Sequence, residues 1–315
     1  MARKPRIHSP GAVYHVILRG NGKQDIFFED QDRYRLYLFL QEGIERYHHQ
    51  VHAFCLMTNH IHLVIQVADI PLSRIMQNLS FRYTRWINWR YNRSGHLFQG
   101  RYKAVLVDGD SYLLELVRYV HLNPVRAKIV DTPDSYIWSS HKVYSGADVL
   151  TWLVPDSVLS MFSGNRIEAV QAYYMFIREG LDEGRRADFH GEGNADSRIL
   201  GDDGFVERMS GEADEASGKV SIDKLLGIIC QRYSVTLNDI ARPGKEHSLA
   251  QVRSMAAWIV QEIPTITLKQ LSEKTGRDIS SLGASALRMQ KRSHAIPELL
   301  REKEELFAEI TRCKA

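Results

Sequence analysis

From Ala12 to Asp108 the spacing of apolar residues changes period in a fixed order, and that order does most to narrow the folds open to the chain. "AVYHVILRG" alternates as a strand does and "DQDRYRLYLFLQEGIERY" repeats at helical spacing. "QVHAFCLMT" and "HIHLVIQV" read as two strands joined by a short turn at Asn59. A helix from about Leu72 to Tyr91 and a strand "YKAVLVD" complete the order βαββαβ. This is the split βαβ, or ferredoxin-like, arrangement, an antiparallel sheet with helices on one face and the other left for a site. "DSYLLELVRYVHLN" adds a helix that Pro124 stops, since proline has no N–H to donate and clashes with the turn before it.

The 315 residues call for more than one domain. The expected organisation is an α+β domain over 1–145, a helical appendage over 146–183 and an acidic flexible linker over 184–218. A separate all-α domain over 219–293 and a terminal helix over 294–315 follow. The linker is expected because that segment has few large apolar residues and many Gly, Asp and Glu. In the all-α part, "TLKQLSEKTG" and "SSLGASALRMQKR" are separated by a Gly276 turn, with Ser280 placed to cap the second helix. That is a helix-turn-helix pattern, with a plain helical bundle as the alternative.

Hydrophobic residues make up 44% and charged residues 25%, enough apolar content for a packed core. The net charge of +3 is unevenly spread: the first 150 residues and 219–292 are basic and roughly 182–218 acidic, a pattern expected of a nucleic-acid-binding protein. Cys55, Cys230 and Cys313 have no C-x-x-C spacing, which argues against a disulfide framework or structural zinc and for a reducing compartment. The basic start lacks the apolar core of about 7 to 15 residues that a signal peptide has. Nowhere is there a run of about 18 apolar residues, so no membrane span is expected and the location expected is cytoplasmic.

Within "MTNHIHLVI", a strand places His60 and His62 on one face and Ile61 and Leu63 on the other. In "RYVHLNPV", helical spacing places Tyr119 and Asn123 on one face, while His121 is offset by two and is given no catalytic role. A tyrosine is a covalent nucleophile once its proton is removed, and a metal that polarises the electrophile helps it. His60, His62 and the Asn123 amide oxygen can supply a mixed nitrogen and oxygen set suited to Mg²⁺ or Mn²⁺. Read singly, Tyr119 is equally a core aromatic and Asn123 a helix-end residue.

Between Asp69 and Asp108 there is no acidic residue, and arginines are interleaved with Phe81, Trp86, Trp89 and other aromatics. Arginines neutralise phosphates and aromatic faces stack on unpaired bases, as a single-stranded DNA groove requires. Arg82, Arg85, Arg101 and Lys103 are the expected contacts, although one face of this helix has to pack into the core.

"GAVYHVILRGN", "MTNHIHLVI", "SGHLFQGRYKAVLVD" and "LLELVRYVHLNPVRA", in this order, resemble the single-tyrosine HUH transposases, above all the REP-associated tyrosine transposases. The resemblance covers roughly residues 2–141. It implies that His60 and His62 are the HUH metal ligands, with Ile61 as the hydrophobic middle residue, that Asn123 is the third ligand and that Tyr119 is the nucleophile. It further implies cleavage of single-stranded DNA, often beside a hairpin, through a 5′-phosphotyrosine link and without ATP. Residues 219–292 resemble the DNA-binding domain of the bacterial replication initiator DnaA, with Arg253 at a DNA-contacting arginine position and Arg277, Ser280 and Ser281 in its helix-turn-helix signature. Where the initiator has Asp-His-Thr-Thr this chain has Asp278, Ile279, Ser280 and Ser281, which puts the initiator's own target sequence in doubt and leaves duplex contact. No G-x-x-x-x-G-K-[ST] stretch occurs, so replication initiation is rejected.

The function expected is a metal-dependent DNA strand transferase acting on single-stranded ends near a palindrome, tethered to duplex DNA by its second domain. A homodimer, with Tyr119 serving a partner's metal site, is among the arrangements this allows. The rivals are a non-catalytic, domesticated DNA-binding protein, another HUH nickase, and a phosphodiesterase using water, which would tolerate Tyr119→Phe.

Overall fold

The computed structural model describes residues 7–311 apart from 154, 218–219, 243, 245, 264–265 and 294, with backbone only at 212–217 and 311. Cys313 lies outside the described residues. The chain divides into two units, Met1–Glu212 and Ala213–Ala315.

In the first unit the elements run β1 (Val13–Arg19), α1 (Asp30–Tyr47), β2 (Gln50–Met57), β3 (His60–Gln66), α2 (Leu72–Arg90), β4 (Lys103–Val107) and α3 (Gly109–His121). Then come α4 (Asn123–Arg126), α5 (His141–Tyr144), α6 (Asp156–Leu159), α7 (Arg166–Glu179), β5 (Ile199–Leu200) and α8 (Asp203–Ser217), which runs across the boundary. The sheet order is β2-β3-β1-β4-β5, with the first four strands antiparallel, as the ferredoxin-like expectation requires. Tyr37 of α1 packs on Phe54, so α1 covers the sheet face that carries Phe54, Ile61 and Leu63. α2 lies beside α1 and buries Leu72, Ile75, Met76, Leu79, Tyr83 and Ile87, each such side chain contributing roughly 1.5–3 kcal/mol. The opposite face carries His15, Arg19, His60, His62 and Lys103, and α3 packs there against β2 and β3.

Gly20, just after β1, ties that face to the turn before His60. Its N–H donates to the Asn59 carbonyl at 2.8 Å, and a Cβ there would lie 2.0 Å from the Gln24 carbonyl oxygen, which only glycine permits.

Two expectations for the first unit need correction. α3 ends at His121, and Asn123 opens the separate α4 with Pro124 in its first turn, where the missing N–H costs nothing. The appendage packs into the first unit: Tyr173 of α7 bonds His121 at 2.8 Å and His141 at 2.6 Å, all three side chains being buried. The larger correction concerns 184–218, expected as a flexible linker. It holds a 3-10 turn at Asp188–His190, the strand β5 paired parallel to β4, and α8. Phe189, Ile199 and Leu200 are its buried anchors, and its charges pair locally, Arg185 with Glu192 and Arg198 with Asp196, so the acidic run does not repel itself into solution.

The second unit contains α9 (Ile222–Arg232), α10 (Leu237–Ala241), α11 (His247–Val260), α12 (Leu268–Thr275), α13 (Ile279–Ser293) and α14 (Pro297–Thr311). Leu225, Ile229, Met255, Ile259, Leu271, Leu282 and Leu306 form its core. α14 joins that core through Leu299, Leu306 and Ile310, so the terminal helix is part of the domain. Gly276, at φ 64°, closes α12 in the left-handed conformation and sets the turn into α13. Ser280 is not the cap of α13: Asp278 Oδ1 accepts from the Ser281 N–H at 3.0 Å, and Ser280 lies inside the helix. Among the described residues no helix is long and apolar enough to cross a membrane.

Candidate active site

Tyr119 lies in the last turn of α3, 3% exposed, over the histidine face of the sheet. Its ring centroid is 6.3 Å from His62 and 5.9 Å from His15, and the His60 and His62 rings are 5.0 Å apart. Its hydroxyl bonds His190 Nε2 at 2.7 Å. The structure thus brings together His60, His62 and Tyr119 and adds two histidines that the sequence reading missed.

Hydrogen bonds fix the tautomers. His15 Nδ1 lies 2.9 Å from the Phe189 carbonyl, which can only accept, so His15 carries its proton there and keeps a lone pair at Nε2. That lone pair accepts from His62 Nδ1 at 2.9 Å, leaving the His62 lone pair at Nε2. Asn59 Nδ2 donates to the Lys23 carbonyl at 3.2 Å, which turns Asn59 Oδ1 to accept from His60 Nδ1 at 2.7 Å and leaves the His60 lone pair at Nε2 as well. A ligating imidazole with its other nitrogen engaged is the arrangement a metal site needs. Burial holds all of these rings neutral: His60 is lowered to about 4, with Arg19 and His190 adding to the effect, His15 to about 3, and His62 well below its ordinary value.

Asn123 is one turn beyond Tyr119. Its amide nitrogen donates to the Tyr119 carbonyl at 3.0 Å, which leaves Oδ1 as the acceptor end, touched by Arg126 Nη1 at 3.4 Å. Among the described residues no three His, Cys, Asp or Glu side chains gather as a cation site. Two imidazoles that present Nε2, with the Asn123 amide oxygen expected from the sequence as a third donor, make a mixed nitrogen and oxygen set of the kind that suits a divalent cation with open positions. Burial pushes the Tyr119 hydroxyl up, while the Arg126 guanidinium, 4.2 Å from the ring centroid, and Arg185 pull it down. His190 is lowered to about 4 by burial, then by Arg185 and Lys103.

The expected DNA contacts separate. Lys103 is exposed on the histidine face, opposite Ile17, and Arg19, which the sequence reading did not pick, is exposed there opposite His60. Arg85 and Arg101 are exposed. Arg85 lies on α2 between Phe81 and Trp89, 64% and 77% exposed, one helical turn from each. Arg82 is instead engaged within the fold, paired with Glu42 of α1 and stacked 4.3 Å from the Phe39 ring centroid. In the second unit Ser280 and Ser281 are exposed, and Arg277 Nη2 donates to the Arg242 and Gly244 carbonyls. Arg253 is only 7% exposed; its Nη1 reaches the Gly244 carbonyl at 3.5 Å, and its Nε and Nη2 have no hydrogen-bond partner among the described residues.

Period-two alternation marks His15 as sharing a face with Ile17, but only the strand order shows that this face is also that of His62. His190 left no signal, because it lies in a segment whose composition reads as linker.

Among solved structures, the chain is similar to a REP-associated tyrosine transposase bound to a REP hairpin, at 12% identity and a TM-score of 0.41, over 49% of this chain and 98% of that one. Residues 9–123 match the model of the family described as "Transposase IS200 like", a span that runs from before β1 to Asn123 and holds His15, His60, His62 and Tyr119. Over residues 9–123, the part that carries the histidine face and Tyr119, the chain is thus similar to the IS200-like transposases.

Proposed function

We propose that the amino-terminal domain cleaves and rejoins single-stranded DNA beside hairpin or palindromic repeats through a 5′-phosphotyrosine at Tyr119, and that the second unit binds duplex DNA. The observation that carries this reading is the Tyr119 hydroxyl set over the same sheet face as two imidazoles that both present Nε2.

A Mg²⁺ or Mn²⁺ ion held by His60, His62 and Asn123 would supply the positive charge that polarises the scissile phosphate. Tyr119 Oη attacks phosphorus, the bond from phosphorus to the 3′ oxygen breaks, and that oxygen leaves as a 3′-hydroxyl after taking a proton. The phosphodiester energy stays in the tyrosine link, so a 3′-hydroxyl reverses the step without ATP. Lys103 and Arg19 offer cations to the strand on that face, and Phe81, Arg85 and Trp89 offer a stacking and phosphate surface on α2. Arg253, Arg277, Ser280 and Ser281 are the duplex contacts of the second unit, whose tether raises the local concentration of substrate.

The test is a denaturation-resistant adduct between the full chain and a labelled single strand drawn from the repeats flanking its gene, with Mn²⁺. Wild type is expected to form it at Tyr119, while Tyr119→Phe and the double variant His60→Ala/His62→Ala form none. Tight binding with no adduct on any strand or metal would leave a non-catalytic DNA-binding protein. In the same preparations, Arg277→Ala is expected to weaken duplex binding and reduce its salt slope by about one.

A further inference from the structure

Residues 183–200 lie outside the span that matches the transposase family, yet they reach into its site. The segment is anchored at both ends. Arg118 of α3 pairs with Glu183, Arg186 Nη1 bonds Glu115 of α3 at 2.8 Å while its Nη2 bonds Asp188 at 2.7 Å, and β5 adds to the edge of the sheet beside β4. Between the anchors Gly191 turns at φ 67°, where a Cβ would lie 2.0 Å from the Ser197 carbonyl oxygen. This strap directs the Phe189 carbonyl to His15 and the His190 ring to Tyr119.

Resting on the function proposed above, we infer that His190 is a catalytic residue for cleavage, the base to which Tyr119 passes its proton. At 2.7 Å the two atoms are already within transfer distance. Tyr119 is buried, with the Phe189 ring 5.2 Å away, so bulk water is a poor acceptor for its proton and a preformed phenolate would be costly. Transfer concerted with attack avoids that cost. The bond from Oη to phosphorus forms, the Oη proton moves to His190 Nε2, the bond from phosphorus to the 3′ oxygen breaks, and the departing oxygen takes a proton from solvent. In rejoining, His190 returns its proton to Oη as the tyrosine leaves. Arg126 over the phenol ring stabilises the charge that develops on it.

The test is the single-turnover rate of adduct formation by the full chain on the same labelled strand with Mn²⁺. His190→Ala is expected to slow it about a hundredfold with strand affinity unchanged, and added imidazole is expected to restore part of the loss. His190→Gln, which accepts a hydrogen bond but takes no proton, is expected to be as slow as His190→Ala. A His190→Ala rate equal to or above wild type, or a His190→Gln rate equal to wild type, would overturn the inference and make the strap a cover or a positioning element. A slow His190→Ala protein that imidazole does not help overturns it too. If wild type forms no adduct, the strand-transfer reading itself fails and this inference with it.

Discussion

The two units bury their polar groups in different ways. The first buries His15, His49, His52, His62, His121 and His141, while the second buries Arg253, Thr275 and Ser293 among the described residues. In the first, many polar bonds join residues far apart in the chain: His15 with Phe189 across 174 positions, Tyr144 with His52 across 92, His121 with Tyr173 across 52. In the second, Ser221, Thr236, Thr267 and Asp278 each cap the helix that follows within three residues. A unit that needs aimed imidazoles has to gather them from several elements. The second, helical unit is specified locally, each cap lying within its own turn, around an apolar core.

The sharpest way to separate the units is acid. His49 is 2% exposed, both its ring nitrogens lack a partner among the described residues, and burial alone lowers it to about 4. A folded-state value below the unfolded 6.5 means that the unfolded chain binds the extra proton first, so stability is intact above pH 6.5 and is lost as pH falls towards 4. At roughly 1.36 kcal/mol per pH unit, His49 alone removes about 3 kcal/mol from the first unit over that window. Denaturant unfolding at pH 7 and pH 4.5 checks this, with Trp258, the one tryptophan of 213–315, reporting the second unit and the other four tryptophans the first. The first unit should lose far more stability than the second, and His49→Leu should reduce its loss. Equal losses in both units would break the comparison.

This contrast also explains what was legible in the sequence. The six elements of βαββαβ, the helices of the second unit and the shared face of His60 and His62 follow from periodicities within single elements, while the placing of Tyr119 beside them rests on the resemblance of the ordered motifs to the transposases. His190 and His15 do not, because their roles arise from pairings across the fold. The 184–218 stretch misled for a related reason: three apolar anchors, Phe189, Ile199 and Leu200, are too few to register in a composition, but a sheet edge and a helix already in place suffice to order them. Arg82 and Arg85 are alike in sequence, and only the position of Glu42 on α1 assigns the first to packing.

A middle-sized effect tests whether the long-range bonds serve the site or only the fold. His15→Ala removes the acceptor of His62 Nδ1, so the His62 ring loses the contact that sets its tautomer and plane. Mn²⁺ affinity, measured by titration calorimetry on the full chain, should fall about 10- to 100-fold. His15→Gln, which can still accept from His62, should recover part of it. Unchanged affinity would mean that the pairing between β1 and the strap holds the fold together without tuning the ligand.

The smallest effect belongs to the second unit. Asp278→Ala removes the side chain that accepts the Ser281 N–H at the start of α13, a bond within its own turn. Loss of such a cap costs about 1 kcal/mol, because one N–H in the first turn must then turn to water, and the exposed position lets it do so. Unfolding followed through Trp258 should show that loss, with the tryptophans of the first unit and the rate of adduct formation unchanged. A loss several times larger would mean that Asp278 is tied to distant parts of its unit, and the second unit would then be organised like the first.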